Sequence, residues 1–181
     1  MKQHGSPERL VFFTDAVVAI ALTLLVLPLT DLVPELVAEN APAVEAVTDN
    51  WPKIFSFLLS FAVIGRFWVT HHRIFEHVRT YSGPLVLANF CWLLTIAVLP
   101  FPTELVGAYD SERFTAVFYL GTLLASSLSH TALVLIVRHD PEIRGDTEPM
   151  TDQWVLNFVL TTAVFALAVL VAFIEPGLGY L

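Results

Sequence analysis

The sequence predicts an all-α bundle of membrane-spanning helices. Three observations carry that prediction. The 181 residues are 56% hydrophobic and only 14% charged, against about 25% charged in soluble domains, and the mean hydropathy is +0.70. Five apolar stretches recur, each long enough to cross a bilayer core as a helix. The connections between them are short and sort basic residues onto one side.

The elements follow in order. Residues 1–8 form a polar lead, with Ser6-Pro7-Glu8 a helix start. The first span, about 9–30, reads R-L-V-F-F-T-D-A-V-V-A-I-A-L-T-L-L-V-L-P-L from Arg9, and after Asp15 no charge appears until Asp31. As a helix, Arg9–Leu29 is roughly 31 Å long. Residues 31–50 hold five carboxylates and no Lys or Arg, and Pro28, Pro34 and Pro42 break that region. The second span is about 52–70, followed by a basic turn from His71 to Arg79. The third, about 84–102, ends at Pro100-Phe101-Pro102, and a short acidic connection holds Glu104, Asp110 and Glu112. The fourth is about 114–137, the fifth about 152–174. A sixth span is expected to begin near 177–181 if the chain has six. The whole of 1–181 reads as one transmembrane domain.

Lys2, Arg9, Arg73, Arg79, Arg138 and Arg144 fall on one side of this arrangement, Lys53 and Arg113 on the other. That bias predicts a multi-pass protein of the cell membrane with a cytoplasmic N-terminus. Trp51, Trp68, Tyr81 and Trp154 lie near span ends, where interfacial aromatics belong. A net charge of −8 argues against nucleic acid, and the single Cys91 excludes an intrachain disulfide. The sequence has no Gly-x-Ser-x-Gly, Walker loop or His-Glu-x-x-His run, so no enzyme is expected, nor any cofactor. Metal-ligand spacing is likewise missing around His71, His72, Glu76 and His77.

On a helical wheel Thr23, Leu24 and Leu27 fall within roughly 60° of Ile20. Phe13 and Ala16 extend this apolar stripe, Arg9 lies near its foot, and Asp15 points the opposite way. A carboxylate at that depth needs protein around it, and Arg66 on the antiparallel second span is a candidate partner. His71 lies on the same helical face as Trp68. Ser126, Ser127, Ser129, His130 and Thr131 in span four, Asn89 and Thr95 in span three, and Asn157, Thr161 and Thr162 in span five read as small polar residues that let helices approach and bond.

Arg9-x-x-x-Phe13-Thr14-Asp15 resembles the R-x-x-x-F-S-D signature of the transmembrane protein 175 family of potassium channels, with Thr in place of Ser. The segment Phe67–Phe75, F-W-V-T-H-H-R-I-F, resembles the end of that family's second helix. Leu99-Pro100-Phe101-Pro102-Thr103 resembles the end of its third. The resemblance implies a potassium-selective cation channel without a carbonyl-lined T-V-G-Y-G filter. It implies a homotetramer of six-helix subunits with the first helices around a pore that holds potassium ions. Ile20, Thr23, Leu24 and Leu27 would line the narrow part, and Arg9, Phe13, Thr14 and Asp15, with Trp68 and His71, would hold the first helix against its neighbours. Two other readings remain open: a proton-coupled transporter using Asp15, Arg66 and His71, and a non-conducting scaffold.

Overall fold

The computed structural model describes residues 7–109, 112–145 and 150–174, and every element among them is helical. The first apolar stretch forms α1 (Pro7–Leu24) and α2 (Leu27–Ala38). Pro28 explains the break between them. It has no N–H for the Leu24 carbonyl, and its ring crowds that carbonyl. The N–H groups of Leu29 and Thr30 both turn to Val26 O, at 3.0 and 3.2 Å. The chain then stays helical through Pro34 as far as Ala38, so residues 31–38 are not the proline-broken connection that the sequence suggests. Leu32, buried, fastens this outer segment to the bundle.

A single turn, α3 (Glu45–Thr48), leads into α4 (Trp51–Phe75). This helix runs five residues past the expected end at 70 and takes His71, His72 and Arg73 into its last turns, where basic groups suit the negative end of the helix dipole. The third stretch splits into α5 (Gly83–Val98) and α6 (Pro100–Ala108). Ser82 caps α5, its Oγ accepting from the Leu85 N–H at 3.4 Å. Pro100 and Pro102 do not end the helix. They sit in the first turn of α6, where their missing N–H groups cost little, and Glu104 therefore lies on a helix rather than in a loop.

The last stretches are α7 (Arg113–His139) and α9 (Asp152–Ile174), joined through the short α8 (Pro141–Arg144). These two spans match the expected 114–137 and 152–174 closely. The expected sixth span at 177–181 lies outside the described residues. Among the described residues five helical stretches, counting α1–α2 and α5–α6 as one each, are long and apolar enough to cross a membrane.

The core lies in two layers. One gathers Val18, Ala21 and Leu25 of the first span against Ile64, Trp92, Ile96 and Leu123. The other joins Ile74, Leu85, Leu133 and Val137 at the opposite end. Helix α7 is the central post, packed against α5 and α9. Small polar residues make the close joins, as their composition predicts. Ser126 Oγ donates to Thr95 Oγ1 at 2.6 Å, Thr162 Oγ1 lies 2.8 Å from Ser127 and 2.9 Å from Thr131, and Thr103 Oγ1 donates to Ser60 Oγ at 2.8 Å.

Gly107 marks the tightest approach. A Cβ there would stand 2.7 Å from Ser56 Oγ and 3.0 Å from the Lys53 Cα, so α6 presses directly on α4. Gly107→Val is expected to destabilise the purified protein by about 1–3 kcal/mol, visible as a Tm lower by several degrees in detergent. Gly121→Ala, where a Cβ meets nothing within 4 Å, should leave Tm unchanged or raise it slightly. Equal effects of the two would show that helix propensity, not contact, governs both.

Candidate functional site

The first helix has two faces of different fate. Thr14, Val18, Ala21 and Leu25 recur at intervals of four, three and four and are buried against the bundle. Ile20, Thr23, Leu24 and Leu27 form the other edge and turn away from it; Ile20 is 59% and Leu27 49% exposed. The stripe read from the wheel is therefore a surface feature of the chain, apolar apart from one hydroxyl. Thr23 Oγ1 donates its proton to Ile20 O at 2.8 Å. The hydroxyl oxygen is left with lone pairs and no proton to present, which suits it to meet a cation.

What fixes the rotation of α1 is a chain of polar contacts one to two turns below the stripe. Thr14 is fully buried, and its Oγ1 accepts from Asn89 Nδ2 at 3.0 Å. Asn89 Oδ1 in turn lies 2.7 Å from His71 Nε2. An amide oxygen only accepts, so Nε2 carries the proton and donates. The His71 ring is held flat between Trp92 and Phe75, with centroids 4.4 and 4.3 Å away. Trp92 also stacks on His130, at 4.8 Å. Beside this chain Trp68 Nε1 donates to Asp15 Oδ1 at 2.8 Å. Thus Thr14 and Asp15, adjacent in sequence, tie α1 to α5 and α4 respectively.

The structure brings Thr14, Asp15, Trp68 and His71 into one locus, and it places one pairing differently. Asp15 does not meet Arg66. Residues 66 and 68 point to nearly opposite sides of α4, and Trp68 takes the Asp15 side. Arg66 Nη1 instead donates to Thr70 Oγ1 on its own helix at 3.1 Å. Arg9 is exposed, and Phe13 touches Phe90 with ring centroids 5.7 Å apart while remaining half exposed. Trp68 is a bonding partner rather than a plain interfacial anchor.

Composition alone makes Asn89 one more small polar group, yet it is the link between Thr14 and His71. The signal was present: a fully buried amide within an apolar span must find partners for both ends. Of the acidic residues after the stripe, Asp31 and Glu35 line a crevice of about 150 Å³ with Lys53 and Glu104. Among the described residues no three His, Cys, Asp or Glu side chains gather as metal ligands would.

Fold and site together define a polytopic α-helical membrane protein whose first helix is pinned on one edge and bare on the other. The profile of the family described as endosomal/lysosomal potassium channel TMEM175 matches residues 9–100. A potassium channel of Chamaesiphon minutus is 31% identical over 188 residues, covering 98% of this chain and 92% of the relative. The endosomal/lysosomal proton channel TMEM175 of Bos taurus is 31% identical over 143 residues, covering 71% of this chain and 30% of that protein. The crystal structure of a lysosomal potassium-selective channel TMEM175 homologue from Chamaesiphon minutus superposes with a TM-score of 0.79 at 28% identity, covering 96% of this chain and 89% of that one. The chain belongs to the TMEM175 family, a family of ion channels and not of enzymes.

Asn89→Leu is expected to lower Tm in detergent by several degrees, because it strands the buried Thr14 hydroxyl and the His71 N–H. Ser129→Ala, which removes a hydroxyl whose one partner among the described residues is the Ala125 carbonyl, should cost far less. Asp15→Asn keeps an oxygen for Trp68 and should be milder than Asp15→Leu; the same loss for both would place the contribution in charge rather than in the hydrogen bond.

Proposed function

We propose that the chain forms a potassium-selective channel of the cell membrane, as a tetramer in which four copies of the α1 edge surround the pore. The observation that carries this reading is the exposed stripe of Ile20, Thr23, Leu24 and Leu27 on a helix whose other edge is locked into its own subunit. An apolar face held at fixed rotation is what a narrow constriction needs. Rings of Ile20, Leu24 and Leu27 resist hydrated ions and close by dewetting. Four Thr23 oxygens compensate part of the hydration that a potassium ion sheds there. Asp31 and Glu35, just beyond the stripe, raise the local cation concentration. The names of the Chamaesiphon relatives support potassium as the ion. The basic ends of α4 and α7 support a cytoplasmic N-terminus.

The motif residues act at a distance from the ion. Thr14, Asp15, Trp68, His71 and Asn89 set the rotation of α1 and so decide which side chains reach the axis. A proton-coupled transporter would require Asp15, Arg66 and His71 to share a path. Their side chains go instead to Trp68, Thr70 and Asn89, which favours the channel.

Reconstituted in liposomes, the chain should pass potassium above the level of empty vesicles, and Leu27→Ala should raise that flux severalfold. Thr23→Ala should lower the potassium-to-sodium permeability ratio; an unchanged ratio at normal expression rules out the threonine ring as the selective element. A pH-sensitive dye in the same vesicles reads proton passage, the property named for the Bos taurus relative. No potassium flux from folded tetramer in any variant would return the case to the transporter or scaffold.

A further inference from the structure

Away from the α1 edge, α4, α7 and α9 enclose a second feature. A cavity of about 210 Å³ opens between them, roughly seven waters' worth of volume, too large for a single bound water. Helix α4 supplies Arg66, Thr70 and Arg73 to its wall, spaced i, i+4, i+7 along one face. Arg66 uses a donor on Thr70 and makes no ion pair among the described residues. Arg73 makes neither an ion pair nor a side-chain hydrogen bond among them. Among the described residues no carboxylate lines the cavity. In a chain of net charge −8, two guanidiniums that share a cavity without an acidic partner are an unbalanced arrangement.

The remaining walls fit an anion with an apolar body. Asn157 and Thr161 face in from α9, one turn apart. The Thr161 hydroxyl donates to the Asn157 carbonyl at 2.8 Å, while no hydrogen bond occupies the Asn157 side-chain amide among the described residues. His130, 2% exposed, lines the cavity from α7, and its Nε2 has no hydrogen-bond partner. A buried ring nitrogen without a partner is costly, and a ligand oxygen or a water held by a ligand would satisfy it. Phe67, Ser127, Trp154 and Phe158 complete the lining, and Leu160 and Val164 lie exposed further along α9.

We propose that this cavity binds the phosphate headgroup of an anionic membrane phospholipid. Arg66 and Arg73 hold the phosphate oxygens, since a guanidinium offers several donors in a plane matched to them. Asn157 supports the headgroup, and an acyl chain runs along the apolar face of α9. A lipid rather than free phosphate is the occupant because the cavity opens between membrane-spanning helices with apolar flanks, at their basic end. Basic pockets between such helices are established headgroup sites in other proteins. The proposal does not rest on the ion-conduction reading, and its test does not measure flux.

Native mass spectrometry of the full chain in detergent, with dioleoylphosphatidylglycerol or dioleoylphosphatidylcholine added, is the experiment. The phosphatidylglycerol adduct should survive activation better than the phosphatidylcholine adduct. Each guanidinium removed should weaken it about fivefold, so Arg66→Gln with Arg73→Gln should weaken it roughly 25-fold. Arg113→Gln, at the other end of the bundle, should leave it unchanged. If the double variant does not fold, Thr161→Leu, which fills the cavity from the exposed α9 without touching a charge, should still reduce the adduct. Equal retention of both lipids, or full retention in the variants, overturns the site. Displacement of the lipid by millimolar inorganic phosphate overturns the lipid as its occupant.

Discussion

A buried polar group in an apolar surrounding must be satisfied by protein, because lipid offers no donor or acceptor. Thr14, Asn89 and His71 meet that demand in series across three helices, and the rest of the bundle depends on the result. Each bond has one good geometry, so α1 has one rotation. Were α1 turned by a quarter, Thr14 would leave Asn89, and the Asn89 Nδ2 would lose its acceptor while its Oδ1 still served His71. The apolar edge above this chain is exposed because the polar edge below it is committed. A helix held only by Val18, Ala21 and Leu25 would be free to roll among similar packings, since aliphatic contacts are not directional.

The aromatic layer completes that fixture. His71 is sandwiched by Trp92 and Phe75, and Trp92 passes the stack on to His130. One histidine thereby couples α4 to α5, and the next couples α7 to the same indole. The rings supply bulk and dispersion, while the hydrogen bonds supply register. Asp15 with Trp68 adds a second tie from α1 to α4 close to the first, and two nearby ties restrain rotation more than one. The same helices diverge on the far side of α4, where Arg66 and Arg73 face α9 instead of α1.

Prolines shape the other end of the molecule. Pro28 breaks α1 from α2 at the end of the exposed edge, while Pro34 is carried inside α2. Pro100 and Pro102 restart a helix rather than stop one. A proline's effect depends on where its missing N–H falls: in a first turn it costs little, and in mid-helix it costs a bond. That position is set by where the preceding helix happens to end, which a local reading of the chain does not supply. For this reason the prolines suggest connections around Asp31, Glu35 and Glu104, whereas all three lie on helices.

The sequence by itself determined the class, the number of visible spans, the ends of the fourth and fifth, and the two edges of the first helix. These are matters of hydropathy and of a period of 3.6, and both are properties of consecutive residues. It also marked Thr14, Asp15, Trp68 and His71 as a group through a family signature. Only the tertiary structure decided who meets whom. It paired Asp15 with Trp68 and left Arg66 to another face, and it made Asn89 the link between Thr14 and His71. It also gathered Arg66, Arg73, His130 and Asn157 from three helices around one cavity. Those outcomes turn on the relative rotation and depth of packed helices. A shift of one residue turns a side chain by about 100°, so partners distant in sequence are fixed only when all the helices are in place.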